Sequence, residues 1–586
     1  MFVPPGESSG TTHVDVRKKI RASTNTAGGK ASRILKQILK HAPELSAILA
    51  TIWVFRGVIF KDRVVGSTWD ARWTVAVHEH WYQVWRGTES IRDFHYYYPL
   101  NDTLGTSDAF FVQGQIYSLA RLSGLGYIDS WLTAQVTFFL LGAVGVALLS
   151  KRLLKNPLAQ VSFVILTCAS YPVLVQLKHV QLIGFLSVSW IVLGIHDVVM
   201  RQKVKRGIVL LVVVPPLLAL SSWYALLLPA LVLGFLVLAM TLVHRWTVIA
   251  RTVRTIISDV LTSIWSPSGA LLIAVFIAGW AAVLLVYLPS RNLLPPSEWG
   301  EVVIFSPRWS DIINASDRGG GIWSGLYDSL FDPTKFHFEQ AQGFTTIILI
   351  AFMAFGLFQL RSAVAGNPTS PSDVGRPGRA GLIAVWLTVI AVVLFFVVDE
   401  RGLGLYRFFW SHVPGFEAIR TPYRVQTILY SMAAYLIIRS IELLWLRSRP
   451  LRSGVWPRRV LVASAAILVS LIAIEMQRPI EADWTRSDLL PPALLAKVDE
   501  VQRSCDAVML IDENPNDPPW INPIDAVIFS MISGVPTPQG FSRADPIGNP
   551  GMVGDGSSLA EWMRQQGFDG RICRVSSQSV EVVNGP

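Results

Sequence analysis

Long apolar runs recur along the whole chain, and they constrain its fold more than any other feature. Each run has 17 to 25 mostly apolar residues, enough for a helix to cross about 30 Å of hydrocarbon. A mean hydropathy of +0.43 and a charged fraction of 16% are atypical of soluble domains. The sequence therefore predicts an all-α polytopic membrane domain of about eleven transmembrane helices. The predicted spans are 44–61, 131–150, 158–176, 181–199, 206–222, 224–243, 268–288, 343–360, 380–398, 422–446 and 458–476.

Lys and Arg collect in every second gap between these runs, as cytoplasmic loops do. The alternation predicts a multi-pass protein of the bacterial cytoplasmic (inner) membrane, with a cytoplasmic N-terminus and an extracytoplasmic C-terminus. Because topology explains much of the net charge of +10, no nucleic-acid partner is expected. No cleavable signal peptide is expected, since a long polar tail precedes the first run. The basic segments are 17–40, 151–155, 201–206, 245–254, 361–379 and 447–459.

The chain divides into three predicted parts. A basic cytoplasmic tail covers residues 1–43, the transmembrane domain covers 44–476, and a small extracytoplasmic α/β domain covers 477–586. In the last part, short apolar runs between Pro, Asp, Asn and Gly residues are typical of strands. These runs lie at 507–511, 526–532 and 571–575, and long outer loops are predicted at 62–130, 289–342 and 399–421.

Two of the three cysteines, Cys505 and Cys573, lie in this C-terminal part. An oxidising outer compartment favours a disulfide between them. Two unpaired buried thiols are the alternative.

The stretch TWDARWTVAVHEHWYQVW (68–85) places acidic, basic and aromatic side chains just beyond the first span. Apolar positions from Thr74 to Trp85 have approximate helical spacing, which predicts a short interfacial helix. Asp70, beside Arg72, suits a general base for a sugar hydroxyl. Asp is also favoured as the N-cap of a helix, and the two roles are compatible.

Three further residues of this stretch, His78, Glu79 and His80, alternate acid and base. The order HEH is not the HExxH motif, and alternating positions on a helix do not share a face. No metal site is therefore predicted. Glu79 is expected to contact residues that line the site.

Three arginines near the outer end of the tenth span are candidates for binding an anion. Arg420 and Arg424 bracket Pro422, a residue suited to the first turn of a helix, whose amides also favour phosphate. Arg407 is a third candidate. Anchoring at the membrane interface is the alternative role for these side chains.

Polar residues of the shorter outer turns are candidates for lining a cavity beneath the loops. They are Lys178, His179, Gln181 and Tyr224. Capping of helices and snorkelling to the interface are the alternative roles. Further acids in the outer loops are Asp102, Asp108 and Asp311.

The arrangement resembles the GT-C superfamily of glycosyltransferases that use polyprenyl-phosphate sugars. The likeness lies in a first span followed by a long outer loop that opens with an Asp, then tightly connected span pairs, then another long loop after the seventh span. Four strings also resemble a bacterial group assigned to that superfamily. They are TWDARWTVAVHEHWYQVW, YYYPLNDTLGTSDAFF, HVQLIGF and GFEAIRTPYRVQTIL.

The resemblance implies that Asp70 activates the acceptor hydroxyl for inverting attack, while arginines among Arg420, Arg424 and Arg407 stabilise the lipid phosphate that leaves. It implies a polyprenyl-phosphate-linked sugar, a glycan, lipid or protein acceptor, and the lipid bilayer as partners. Substrate contacts are expected from Arg72, Glu79, Asp108, His179, Gln181 and Tyr224. Many members show a paired acidic motif, whereas a single Asp stands here, so no cofactor is implied and dependence on a divalent metal stays open.

Two other classes of function fit a polytopic membrane protein. One is a non-enzymatic protein of envelope assembly, and the other is a transporter of lipid or polysaccharide. A transporter needs polar residues at mid-span, and ionisable residues there are few.

Overall fold

The computed structural model describes most of the chain. The described residues are 37–60, 63–67, 70–177, 179–200, 202–244, 254, 258, 267–295, 297–313, 344–364, 378–399, 401–413, 416–447, 455–475, 484–511, 521–541, 545–550 and 557–583. The predicted basic tail up to residue 36, and Lys178, lie outside them.

Nine helical segments in the described part of the chain are long and apolar enough to cross a membrane. They confirm the polytopic all-α prediction and coincide with the second to tenth predicted spans. The segments are Tyr127–Leu153, Pro157–Gln176, Val180–Val199, Val204–Ser221, Trp223–Val243, Pro267–Ser290, Thr346–Val364, Arg379–Phe396 and Pro422–Leu446.

The two remaining predicted spans also fall on helices. Residues 37–54 form helix α1, which breaks at Phe55 before the short helix α2 (Arg56–Phe60). The last predicted span lies on a helix over Val455–Glu475.

The helices before the eighth span are numbered in chain order. They are α3 (Asp70–Arg86), α4 (Phe111–Leu122), α5 (Tyr127–Leu153), α6 (Pro157–Cys168), α7 (Tyr171–Gln176), α8 (Gly184–Val199), α9 (Val204–Ser221), α10 (Trp223–His244), α11 (Pro267–Ser290), α12 (Trp299–Ile304) and α13 (Trp309–Ile313).

The remaining elements continue that numbering. They are α14 (Thr346–Val364), α15 (Arg379–Phe396), α16 (Leu405–His412), α17 (Gln426–Arg447), α18 (Val455–Glu475), α19 (Pro492–Leu495), α20 (Val498–Ser504), α21 (Ile521–Ser533) and α22 (Ser557–Gln565), with strands β1 (Ala507–Leu510), β2 (Ile572–Val575) and β3 (Val580–Val583).

Helix boundaries in the membrane domain follow local chemistry. The third span is interrupted after Cys168, and α7 restarts with Pro172 in its first turn, where the missing N–H costs nothing. The predicted split between the fifth and sixth spans is confirmed, since α9 ends at Ser221 and α10 begins at Trp223.

Helix α3 is enclosed by protein from Ala71 to Trp81, which corrects the prediction that it is an interfacial helix. Every residue from Ala71 to Trp81 is buried, because α3 packs against α4, α5 and α21. The helical period was predicted correctly, but its polar side chains face partners in the protein rather than water or headgroups. Glu79 shows this, since it accepts hydrogen bonds from Tyr117 (2.6 Å) and Arg121 (2.9 Å) of α4.

The C-terminal unit (residues 484–583) is a small mixed sheet flanked by helices. Strand β1 pairs in parallel with β2, and β2 pairs antiparallel with β3. A disulfide joins Cys505, just before β1, to Cys573 of β2, with Cα atoms 5.7 Å apart.

One of the three predicted strands in this unit is wrong. The run at 526–532 lies in helix α21 rather than in a strand, whereas the other two runs form β1 and β2. Residues Ile524 to Phe529 are all buried. A short apolar run buried on every side has the same pattern in a helix and in a strand.

The C-terminal unit packs directly on the first long loop. Backbone hydrogen bonds join Tyr97 N–H to the carbonyl of Gln539 (3.3 Å) and Tyr98 N–H to that of Thr537 (3.0 Å). Thr537 N–H donates in return to the carbonyl of His95 at 3.0 Å. The two segments therefore pair along their backbones.

Gly114→Val is expected to destabilise the fold by about 1–3 kcal/mol, because a β-carbon at Gly114 would lie 2.2 Å from Cδ1 of Trp81 where α4 crosses α3. Thermal unfolding of the purified protein in detergent measures this as a lower midpoint. The control is Gly234→Val on α10, where a β-carbon meets nothing within 4 Å. Equal midpoints for the two variants would contradict the packing.

Candidate functional site

Five polar side chains from four separate gaps between membrane helices gather at one end of the bundle. We call them the polar cluster: Asp70 and Asp108 from the first long loop, His179 from the turn before α8, Tyr224 at the start of α10, and Arg424 before α17. The basic-residue alternation assigns all four gaps to the outer side. The structure therefore brings together residues that are more than 300 positions apart in the chain.

Asp70 begins α3 and its carboxylate contacts His179. The Nδ1–H of His179 donates to Oδ2 of Asp70, and the two side chains keep 15% and 22% of their surface exposed. The pair is thus partly open to an incoming molecule. A histidine in this position fixes the orientation of the carboxylate.

The capping role considered for Asp70 belongs to Ser67 instead. The hydroxyl of Ser67 accepts the backbone N–H of Asp70 at 3.2 Å, and the carbonyl of Ser67 accepts the N–H of Ala71. These are the contacts of an N-cap residue. The carboxylate of Asp70 is consequently directed to His179 and not to its own helix.

Asp108 is a buried carboxyl group that joins the first loop to the start of α10. Its oxygens accept the N–H of Trp223 (2.9 Å) and the hydroxyl of Ser222 (3.2 Å). Burial raises the pKa of the Asp108 carboxyl to about 6; the hydrogen bonds and the charge of Arg424 oppose this rise, and the charge of Asp70 adds to it. Asp70, Asp108 and Arg424 are therefore close enough for their charges to interact.

Arg424 lies in a 3₁₀ turn, Pro422–Val425, that leads into α17. Its guanidinium carbon sits 4.8 Å from the ring centre of Tyr224, a cation–π contact, and the residue is only 6% exposed. The first turn of α10 thus contacts both residues. The backbone N–H of Trp223 binds Asp108, and the ring of Tyr224 packs against Arg424.

The other two candidate arginines lie elsewhere. Arg420 forms an ion pair with Glu301 of α12 at 2.9 Å. Arg407 is exposed on α16, with its guanidinium carbon 6.0 Å from the ring centre of Trp299. Of the three arginines, Arg424 is the one whose charge acts on the carboxyl of Asp108.

Three predicted substrate-binding residues have different surroundings. Arg72 forms a buried ion pair with Asp525 of the C-terminal unit. Glu79 is 1% exposed and ties α3 to α4. Gln181 follows His179 in the 3₁₀ turn Val180–Ile183, and its buried Oε1 meets no hydrogen-bond partner among the described residues.

The remaining polar candidates have structural contacts. His78 lies between Thr74 and Gln135, and burial lowers its pKa to about 4. His80 pairs with Glu89. Asp102 pairs with Arg92 at 3.1 Å, while Asp311 accepts the N–H of Arg308 at 2.7 Å. Within the described residues no group of three or more His, Cys, Asp or Glu side chains is placed to hold a metal ion.

Sequence reasoning missed two partners of the site residues. Ser222 and Asp525 were not singled out, because each gains its role from a contact with a residue more than 100 positions away. A serine pair at a helix junction was visible at 221–222, but nothing local indicated that Asp108 would meet it.

Comparison with known proteins gives a likeness among solved structures. No protein-family model matches the sequence, and no curated protein matches it. The chain is similar to the arabinofuranosyltransferase AftD from Mycobacteria, with a TM-score of 0.44 and 14% identity over 90% of this chain and 34% of AftD. It is also similar to ArnT from Cupriavidus metallidurans, with a TM-score of 0.32 and 11% identity over 84% of each chain.

The chain spans about a third of the length of AftD. The chemistry of the polar cluster depends on the residues described above.

The raised pKa of Asp108 predicts a pH-dependent stability. Between about pH 4 and pH 6 the folded protein keeps a proton on Asp108 that the unfolded chain releases, so the free energy of unfolding falls as the pH rises. Asp108→Asn removes the titrating group. Its free energy of unfolding should therefore stay nearly constant across this window, while that of the original protein falls by about 2–3 kcal/mol. Unfolding midpoints in detergent from pH 4 to pH 7 measure the difference; parallel curves would contradict the burial of this carboxyl.

Proposed function

We propose that the protein is a membrane glycosyltransferase that moves a sugar from a polyprenyl-phosphate donor to an extracytoplasmic acceptor with inversion. The observation that carries the proposal is the polar cluster, in which a partly exposed Asp–His pair and a buried arginine from separate gaps lie together. The acceptor is a glycan, a lipid or a protein, and the donor enters from the bilayer.

Asp70 acts as the general base in this proposal. The acceptor oxygen forms a bond to the anomeric carbon while its proton passes to the carboxylate of Asp70. The bond from the anomeric carbon to the phosphate oxygen breaks on the opposite face, so the configuration inverts. The hydrogen bond from His179 engages Oδ2 and thereby sets the direction in which Oδ1 meets the hydroxyl.

Arg424 stabilises the lipid phosphate that leaves. Negative charge grows on this phosphate in the transition state, and a fixed guanidinium in a site shielded from water stabilises it strongly. The ring of Tyr224 holds Arg424 in place, so little reorganisation is needed when the charge develops. Arg420 is already neutralised in part by Glu301 and is assigned a lesser role.

The location of the cluster supports an extracytoplasmic site. Charged contacts at the other end of the bundle come from gaps that the basic-residue pattern assigns to the cytoplasm. There, Asp197 pairs with Arg206 and with Arg152 (3.4 Å), while Lys151 pairs with Glu44. We infer that residues 477–586 form an extracytoplasmic domain beside the cluster and that residues 1–43 form a cytoplasmic tail.

Asp70→Asn is expected to lower the rate of sugar transfer by roughly 10² to 10⁴, because it keeps the shape and a hydrogen-bond acceptor but loses the proton acceptor. Binding of the donor lipid should persist, as measured with the purified variant and a defined polyprenyl-phosphate sugar. The matched control is Asp129→Asn, an exposed acid that pairs with Arg486 at 3.1 Å. Full activity of Asp70→Asn would exclude the base role.

Arg424→Lys is expected to reduce kcat/KM for the donor by about 10² or more, since lysine keeps the charge but not the planar fork held by Tyr224. Steady-state kinetics with varied donor lipid measure the loss. Arg420→Lys is the matched comparison and should lose no more than about a few-fold. A larger loss for Arg420→Lys than for Arg424→Lys would assign the phosphate to Arg420.

A further inference from the structure

The C-terminal unit contacts the chain on both sides of Asp70. On the N-terminal side, the N–H of Val64 donates to the carbonyl of Trp484 at 2.9 Å, in an isolated antiparallel bridge. On the C-terminal side, the guanidinium of Arg72 donates to the carbonyl of Leu489 through Nη2 (2.8 Å) and Nε (3.1 Å). The segment carrying Asp70 is thus held at both ends by residues more than 400 positions away.

A third contact is the buried ion pair between Arg72 and Asp525. The two residues are 6% and 9% exposed, so water does little to screen their charges. The guanidinium of Arg72 donates hydrogen bonds to a carboxylate and to a backbone carbonyl at the same time. These two bonds fix the orientation of the side chain as well as its position. Such a contact transmits the position of one element to the other.

Asp525 itself sits on a firmly placed element. It belongs to α21, which packs against α3 and against β1, and residues Ile524 to Phe529 of this helix are buried. Phe541, which follows α21, lies 6.0 Å from the ring centre of Trp73. The C-terminal unit therefore presents a rigid face to the first turn of α3.

The two charged residues of that turn, Asp70 and Arg72, face different parts of the protein. Positions two apart on a helix point about 200° from one another. Asp70 faces His179 of the membrane domain, and Arg72 faces Asp525 of the C-terminal unit. The turn is thus clamped between the two parts of the protein.

We propose that the C-terminal unit positions the general base, with Arg72 and Asp525 as the positioning residues. The inference rests on the proposed function, because it gives the clamp a role in sugar transfer. Displacement of a catalytic group by about 1 Å is enough to slow a reaction by about 10². Loosening the clamp should therefore lower kcat while leaving the distant contacts of the donor lipid unchanged.

Two variants and one control test the clamp. Asp525→Asn keeps the shape of the side chain but removes the charge opposite Arg72. The double variant Arg72→Met with Asp525→Leu removes both charges, so that no unpaired charge is left buried. The control is Asp506→Asn, which breaks the exposed ion pair with Arg571 in the same unit.

The readouts are steady-state kinetics and amide hydrogen exchange of a peptide spanning residues 63–77, on the full chain in detergent. Both clamp variants should lower kcat about tenfold, leave KM for the donor within about twofold, and speed exchange in this peptide. Asp506→Asn should change neither readout. An unchanged kcat in the double variant, or unchanged exchange, overturns the inference.

Failure of the proposed function is distinguishable from failure of the clamp. If the original protein transfers no sugar from any polyprenyl-phosphate donor, the glycosyltransferase proposal fails, and with it the catalytic role of the clamp. Exchange in the peptide 63–77 still reports whether the C-terminal unit holds the turn. Faster exchange in both variants supports the contact, and equal exchange overturns it.

Discussion

Hydrocarbon offers no partners for polar groups, and this constraint organises the whole molecule. Backbone groups within the bilayer must be satisfied inside helices, so charged side chains gather where the helices end. At one end the polar cluster combines Asp70, His179, Asp108 and Arg424. At the other end Glu442 accepts the N–H groups of Lys155 and Asn156, both at 2.6 Å, and pairs with Arg439. The proposed chemistry on a lipid-linked substrate would therefore occur at a helix end, which is where the cluster lies.

A carboxylate at such a place is stable only if its charge is compensated. Asp70 accepts a hydrogen bond from His179, and the charge of Arg424 acts on Asp108. Asp108 in turn secures the first turn of α10, which carries Tyr224 beneath Arg424. Asp108 and Arg424 are thus linked through one helix start, so a change in either alters the setting of the other. The C-terminal unit contacts the first turn of α3, which carries Asp70, through the ion pair of Arg72 with Asp525.

The sequence predicted the parts of the fold that depend on local pattern. Span length and apolar content located the second to tenth spans, and the split at Ser221–Ser222 was visible as a break in the apolar run. The period of α3 was also visible, but its burial was not, because burial depends on packing against α4, α5 and α21, the last of which comes from the far end of the chain. The same distance in sequence explains why Arg72 was expected at the substrate and is instead paired with Asp525.

Candidate site residues were predictable only as a set of residue types near one membrane face. Asp70, His179, Tyr224 and Arg424 were named from their positions in outer gaps, and the structure brings them together. The separation of Arg424 from Arg420 was not predictable, since it depends on which neighbour each guanidinium meets: Tyr224 for the first and Glu301 for the second. Short motifs indicate what a residue is able to do, whereas the fold decides which residues act together.

A structure of the protein bound to a polyprenyl-phosphate sugar tests the central claim most directly. The account predicts phosphate density against the guanidinium of Arg424, with the anomeric carbon between that phosphate and the carboxylate of Asp70. Phosphate density at the opposite end of the bundle, near Arg152 and Arg206, would contradict the account. A phosphate bound by Arg420, with the sugar too far from Asp70 for contact, would also contradict the account.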